Sequence, residues 1–262
     1  MAGPITAERQ QKKSGPPRPQ RVRRLTPRSR ALIAGGVLAA LVTAGALWVL
    51  YGSQWLRLER VTVSGTRVLT AQEVLDAARA PVGDPLVSVD TDALESRLRS
   101  ELPRIDSVEA VRSWPHDISL EVTERKPALV IEKGGKFVEV DGEGVRFATV
   151  EHAPEGIPRL ELTPDRRGAA ASLRRFGTDR LLREAVRVTG DLPEAVARDT
   201  REVKVRSYDS ISLRLSGART VVWGSGEKGR TKATTLSALM KAAPKARHFD
   251  VSVPTAPASS GS

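Results

Sequence analysis

The sequence predicts an α+β fold: a single apolar helix near the N-terminus, then a soluble part mixing short strands with amphipathic helices. Three observations predict it. Ala31–Tyr51 (ALIAGGVLAALVTAGALWVLY) is a run of 21 residues without a charge. Beyond it, segments such as HDISLEVTER alternate apolar and polar residues with the period of two that a half-buried strand requires. Between those segments, DTDALESRLRSELP places Leu94, Leu98 and Leu102 four residues apart, the spacing of a one-faced helix.

The apolar run comes first in the chain. At about 1.5 Å of rise per residue it spans a hydrocarbon core of roughly 30 Å. Trp48, Tyr51 and Trp55 gather at its C-terminal end, where amphipathic rings favour the membrane interface. Nine of the 42 basic residues but one of the 31 acidic ones precede Ala31, so most of the net charge of +11 sits in residues 1–30. That stretch, rich in Pro, Ser and Arg, is predicted to be a disordered cytoplasmic tail. Positive charge on the N-terminal flank orients the span as type II, with everything after about Gln54 outside the cytoplasm. A cleaved signal peptide fits less well, because the basic region and the apolar run are both too long. With the basicity confined to the tail, no nucleic-acid partner is expected. The chain has no cysteine and therefore no disulfide framework.

The predicted elements then follow in order. LERVTV is a strand closed by Ser64-Gly65. TAQEVLDAARA is a helix whose Thr70 and Glu73 make a capping box, and Pro81, Gly83 and Pro85 break the chain before the second helix. IDSVEAVRSWP and HDISLEVTER are antiparallel strands turning at Pro115-His116, with Ile118, Leu120 and Val122 on the buried face. ALVIEK and KFVEVD flank Gly134-Gly135, a primed-turn hairpin signal, and VRFATV continues the sheet. APEGIPRLEL reads as a Pro-rich connection. Gly168–Thr189 is predicted to be helical, with Leu173, Phe176, Leu181, Leu182, Ala185 and Val186 as core candidates. REVKVRSYD with SISLRLSG makes another hairpin. TVVWG is a strand, TKATTLSALMKAA a helix and HFDVSVP a short last strand, followed by the flexible PTAPASSGS of residues 254–262.

Chemical motifs are sparse. Gly224–Thr231 (GSGEKGRT) resembles a phosphate-binding loop, but Arg230 stands where the phosphate-reaching lysine belongs, and the strands around it are predicted to be antiparallel. The stretch reads instead as a glycine-rich strand-to-helix turn. His116, His152 and His248 are scattered, so no metal site is expected. No G-x-S-x-G elbow occurs, and Asp141 and Glu143 at a GEG turn read as solvated acids. The chain is expected to be no enzyme and to need no cofactor or small-molecule substrate.

Three stretches carry a family resemblance: the VTVSG strand leading into β-α-α-β-β, LPRIDSVEAVRSWPHDISLEVTERKPALV, and VVWGSGEKGRTKATTLSALM followed by FDVSVP. Together they resemble the FtsQ/DivIB family of bacterial cell-division proteins, of the actinobacterial type. The resemblance implies a POTRA module over residues 57–126 and a β-rich domain over 127–253. It further implies a divisome scaffold in the cell membrane at the septum, linking early to late division proteins by binding FtsB- and FtsL-type partners. The partner strand would add to the open edge of the C-terminal sheet, along Phe249, Asp250, Val251, Ser252, Val253, Pro254 and Thr255, since a strand with nothing after it to pair with leaves backbone groups free. Two other readings fit less well: a POTRA protein of polypeptide handling or secretion, which would carry a β-barrel, and a ligand-binding ectodomain.

Overall fold

The computed structural model describes residues 27–163 and 169–261. The predicted disorder of the basic tail falls on residues outside that range, apart from its last four. Residues up to Ser53 and those from Gln54 onward form separate compact units.

The first unit contributes α1 (Pro27–Gly52). Among the described residues this is the one helix long and apolar enough to cross a membrane, with a mean hydropathy of 1.8 over Ala34–Gly52. It begins ahead of the apolar run because Pro27 suits a first helical turn and arginine is a good helix former.

The second unit opens with β1 (Arg60–Ser64), α2 (Ala71–Ala78), α3 (Thr91–Glu101), β2 (Ile105–Ser113) and β3 (Asp117–Glu124), the β-α-α-β-β order the sequence predicts. The predicted capping box starts α2: the Thr70 hydroxyl accepts from Glu73 N–H at 3.2 Å, and the Glu73 carboxylate accepts from Thr70 N–H at 2.8 Å. Asp90 caps α3 by accepting from Ala93 N–H, and each cap is worth about 1 kcal/mol. The sheet runs β1-β3-β2, with β1 parallel and β2 antiparallel to β3. Ile118, Leu120 and Val122 are buried with Val74, Leu94 and Leu98, so the predicted face of β3 meets the helices. Gly65 is required where β1 ends: its φ is +85°, and a Cβ there would strike the Val122 carbonyl. The β3 carboxylate Glu124 holds the next loop by accepting from the N–H groups of Arg67, Val68 and Leu69 at 2.7–3.0 Å.

The rest of the unit is one nine-stranded sheet. Its strands are β4 (Leu129–Lys133), β5 (Lys136–Val140), β6 (Arg146–Val150), β7 (Arg159–Leu162), β8 (Thr200–Ser207), β9 (Ser210–Leu215), β10 (Thr220–Gly224), β11 (His248–Asp250) and β12 (Ala258–Ser260). They lie in the order β12-β11-β10-β9-β8-β7-β4-β5-β6. α4 (Ala169–Asp191), α5 (Glu194–Asp199) and α6 (Gly229–Ala242) complete the unit. Leu181, Leu182, Ala185 and Val186 of α4 are buried as predicted, among Val203, Leu213, Trp223, Leu236 and Phe249. The side chains of Leu173 and Phe176 lie outside the described residues. Exposed or half-buried charges pair across neighbouring strands: Glu132 with Arg159, Glu161 with Lys204, and Glu202 with Arg214.

Several features depart from the sequence reading. RLEL, taken as part of a loop, is β7, which pairs in parallel with both β4 and β8 and joins the two halves of the sheet; four residues behind a proline give too short a pattern to register. β10, α6 and β11 form a parallel β-α-β unit, so the expected antiparallel neighbours hold for β9 and fail for β11. Asp141, read as a solvated acid, is buried. It accepts from the N–H groups of Glu143 and Val145 at 2.9 and 2.8 Å, organising the β5–β6 turn, while Glu143 stays exposed.

Asp141 also pairs with Arg125, just past β3, which reaches Asp106 at 3.1 Å as well. Arg104 pairs with the buried Glu139 at 2.7 Å and lies over the Phe147 ring at 5.2 Å. Two arginines flanking the β2–β3 hairpin thus lock it to β5 and β6. Backbone bonds from Arg125 N–H to Arg104 C=O and from Ala128 N–H to Val140 C=O, at 2.8 and 2.7 Å, continue the seam.

Candidate functional site

The residues singled out by sequence lie along β11 and the turn after it, and the structure divides them. Phe249 and Val251 are buried in the core beside Trp223 and Leu236, so their side chains face inward. The Asp250 carboxylate accepts from both the N–H and the hydroxyl of Ser252, at 2.9 and 2.6 Å, an Asx turn that bends the chain out of β11. Val253 is 55% exposed. Pro254 and Thr255 form the following turn, closed by a bond from Ala256 N–H to Val253 C=O at 3.0 Å.

β11 is not the free edge. The stretch after it, expected to be flexible, returns as β12, antiparallel to β11 with His248 opposite Ser260, Phe249 opposite Ser259 and Asp250 opposite Ala258. The physical reason is that a strand pair needs only extended backbone: Ala258, Ser259 and Ser260 bury no side chain, yet their main chain closes the ladder. Among the described residues, β12 is the outermost strand on this side of the sheet.

The geometry shows which groups β12 offers. Thr220 N–H donates to Arg247 C=O at 2.7 Å and Val251 N–H donates to Val222 C=O at 3.0 Å. These bonds set the alternation along β11, so Phe249 turns its backbone groups to β10 while His248 and Asp250 turn theirs to β12. Ser259, opposite Phe249, therefore presents its N–H and C=O outward.

The turn behind this edge is braced by a residue the sequence reading passed over. Lys232, in the second turn of α6, is buried, and its Nζ donates to Trp223 C=O at 2.9 Å and Ser225 C=O at 2.8 Å. Burial lowers its pKa, against the pull of Glu227 and Asp250. Carbonyl oxygens converge on an ammonium here, the inverse of the N–H cradle that holds a phosphate. The signal was legible: Lys232 stands four residues before the buried Leu236, on the apolar face of its helix. Among the described residues no three His, Cys, Asp or Glu side chains converge as metal ligands do.

Over 266 aligned residues, covering 100% of both chains, this chain is 67% identical to the cell division protein FtsQ of Streptomyces coelicolor. The chain belongs to the FtsQ family. Residues 56–125 match the profile described as the FtsQ-type POTRA domain, which spans β1 to β3. FtsQ of Mycobacteroides abscessus is 32% identical over 84% of this chain and 67% of its own length. Among solved structures, the major extracytoplasmic domain of DivIB from Geobacillus stearothermophilus aligns with 51% of this chain and 97% of its own, at 16% identity and a TM-score of 0.32; a likeness that slight carries no argument. The backbone of β12 and the side chain of Val253 are exposed at one edge of the large sheet.

Proposed function

We propose that the chain is a non-catalytic scaffold of the division machinery, held in the cell membrane by α1 with its N-terminus in the cytoplasm, and that it recruits FtsB- and FtsL-type partners at the septum. The observation that carries this reading is the outward-facing backbone of Ser259 on an exposed edge strand. A partner strand adds to β12, main-chain bonds supply affinity, and side chains of the Val253–Thr255 turn lend specificity. Phe249, Asp250, Val251 and Ser252 contribute from behind: the first and third anchor β11 in the core, and the other two shape the turn. The arginine-rich flank of α1 and the aromatic residues at its other end support the orientation.

The test uses the full chain in lipid nanodiscs with FtsB- and FtsL-like ectodomains in solution. Ser259→Pro removes the outward N–H and leaves the bonds of Ala258 and Ser260 to β11, a position where an edge strand tolerates proline. Capture by the parent chain, its loss in Ser259→Pro and its weakening in Val253→Asp are the expected results. Capture unchanged by Ser259→Pro moves the binding site off this edge, and no capture by the parent chain removes the partner assignment altogether.

A further inference from the structure

The segment leading into the folded unit, Gln54–Arg60, is gripped by two turns. The first is residues 81–85: Leu58 N–H donates to Asp84 C=O and Gly83 N–H donates to Leu58 C=O, both at 2.8 Å, while the Arg57 guanidinium donates to Gly83 C=O at 2.6 Å. The second is Trp114–His116: His116 C=O accepts from Glu59 N–H at 2.8 Å. Each element brings one large apolar side chain to the surface. Trp55 is 70% exposed, Val82 63% and Trp114 52%. Single exposed apolar residues are ordinary on a protein surface, but three carried by hydrogen-bonded neighbours call for an explanation.

The covalent chain says what lies nearby. α1 ends at Gly52, and the seven residues from there to Glu59, fully extended, reach at most about 25 Å. A short 3₁₀ turn at Gln54–Leu56 shortens that reach. Both turns are therefore bonded to the segment by which the chain arrives from α1. Indole rings are the side chains that partition best into the headgroup layer, their apolar body in the acyl boundary and their N–H in water. The charges on the segment itself offset one another, Arg57 and Arg60 against Glu59 and, on the first turn, Asp84, so no strong field selects or repels charged lipid.

We propose that Trp55, Val82 and Trp114 form a second membrane contact, by which this end of the folded unit rests in the interfacial layer of the bilayer. The partner is a lipid surface, held by the apolar and aromatic side chains rather than by its charge. This rests on α1 spanning the membrane, and the test separates the two statements.

The chain has no cysteine, so single thiols report cleanly. In the full-length chain, Asp84→Cys, Lys136→Cys and Leu41→Cys are each labelled with a fluorophore. The proteins are reconstituted into nanodiscs of phosphatidylethanolamine and phosphatidylglycerol carrying nitroxide quenchers, on the headgroup for the first two labels and on the acyl chain for the third. The expected result is severalfold stronger quenching at Asp84 than at Lys136, unchanged by high salt and abolished by Trp114→Ser combined with Val82→Ser. Equal quenching at the two positions, or a difference that survives the double substitution or dissolves in salt, overturns the membrane contact. A quenched Leu41 label beside an unquenched Asp84 label leaves the anchor standing and removes only this proposal, while an unquenched Leu41 label removes both.

Discussion

At the β5–β6 end of the large sheet, Arg104 and Arg125 from the POTRA module are clamped onto the buried carboxylates of Glu139 and Asp141. At the β12 end, three exposed residues are held to β11 by main-chain bonds alone. The first arrangement is costly to disturb, since removing either member of a buried pair strands the other charge away from water. The second costs little to disturb, because each residue there commits only backbone groups that water would otherwise satisfy. The charged seam and the proposed docking edge are thus separated, and a substitution that silences one should leave the other intact.

The largest expected effect is at the charged seam. Arg104→Ala should lower the unfolding free energy of the folded unit by about 3–5 kcal/mol, read by urea denaturation. Arg104→Met together with Glu139→Leu should recover most of that loss; a double variant as unstable as the single one would show that packing around the guanidinium, not the stranded carboxylate, dominates. Next comes Lys232→Met, which keeps the aliphatic stem and leaves the carbonyls of Trp223 and Ser225 without their donor, at a cost of about 1–3 kcal/mol.

Glu124→Gln is expected to cost about 1–2 kcal/mol near neutral pH, and its pH dependence is the sharper measurement. Burial resists ionisation of Glu124, yet the three backbone N–H groups of Arg67, Val68 and Leu69, with help from Arg104, hold its pKa below the ordinary 4.5. A carboxylate with a lowered pKa stabilises the fold above the unfolded value and loses that contribution as pH falls through the folded one. The parent chain should therefore lose its advantage over Glu124→Gln only below about pH 4.5. A gap between the two that stays constant through that range would assign the effect to shape instead of charge. The smallest effect belongs to the other end: Ser259→Pro should change stability by less than about 1 kcal/mol while abolishing partner capture. A large stability loss would mean that the edge strand is structural after all.

Much of the fold was legible because its signals are local. The β3 alternation, the Thr70–Glu73 capping box and the Gly134-Gly135 turn, both of whose glycines have positive φ, each declare themselves within a few residues. Family membership was legible from the stretch running through the WP turn into ERKPA. What stayed hidden depends on partners distant in sequence. β7 is a strand because β4 and β8 flank it, and Asp141 is buried because Arg125 arrives from the other module. At the candidate edge the chain was read correctly as strand and wrongly as last: β12 has no apolar alternation, and only its pairing with β11 reveals it.

The parallel pairing of β1 with β3 bears on mechanics. β1 receives the chain that follows α1 at its N-terminal end, and β3 passes it on to the large sheet from its C-terminal end, with five residue pairs in register between them. Tension between the anchor and a partner docked on the sheet would pull these two strands lengthwise in opposite directions. The bonds between them would then bear the load together, in shear, and could not peel apart one after another.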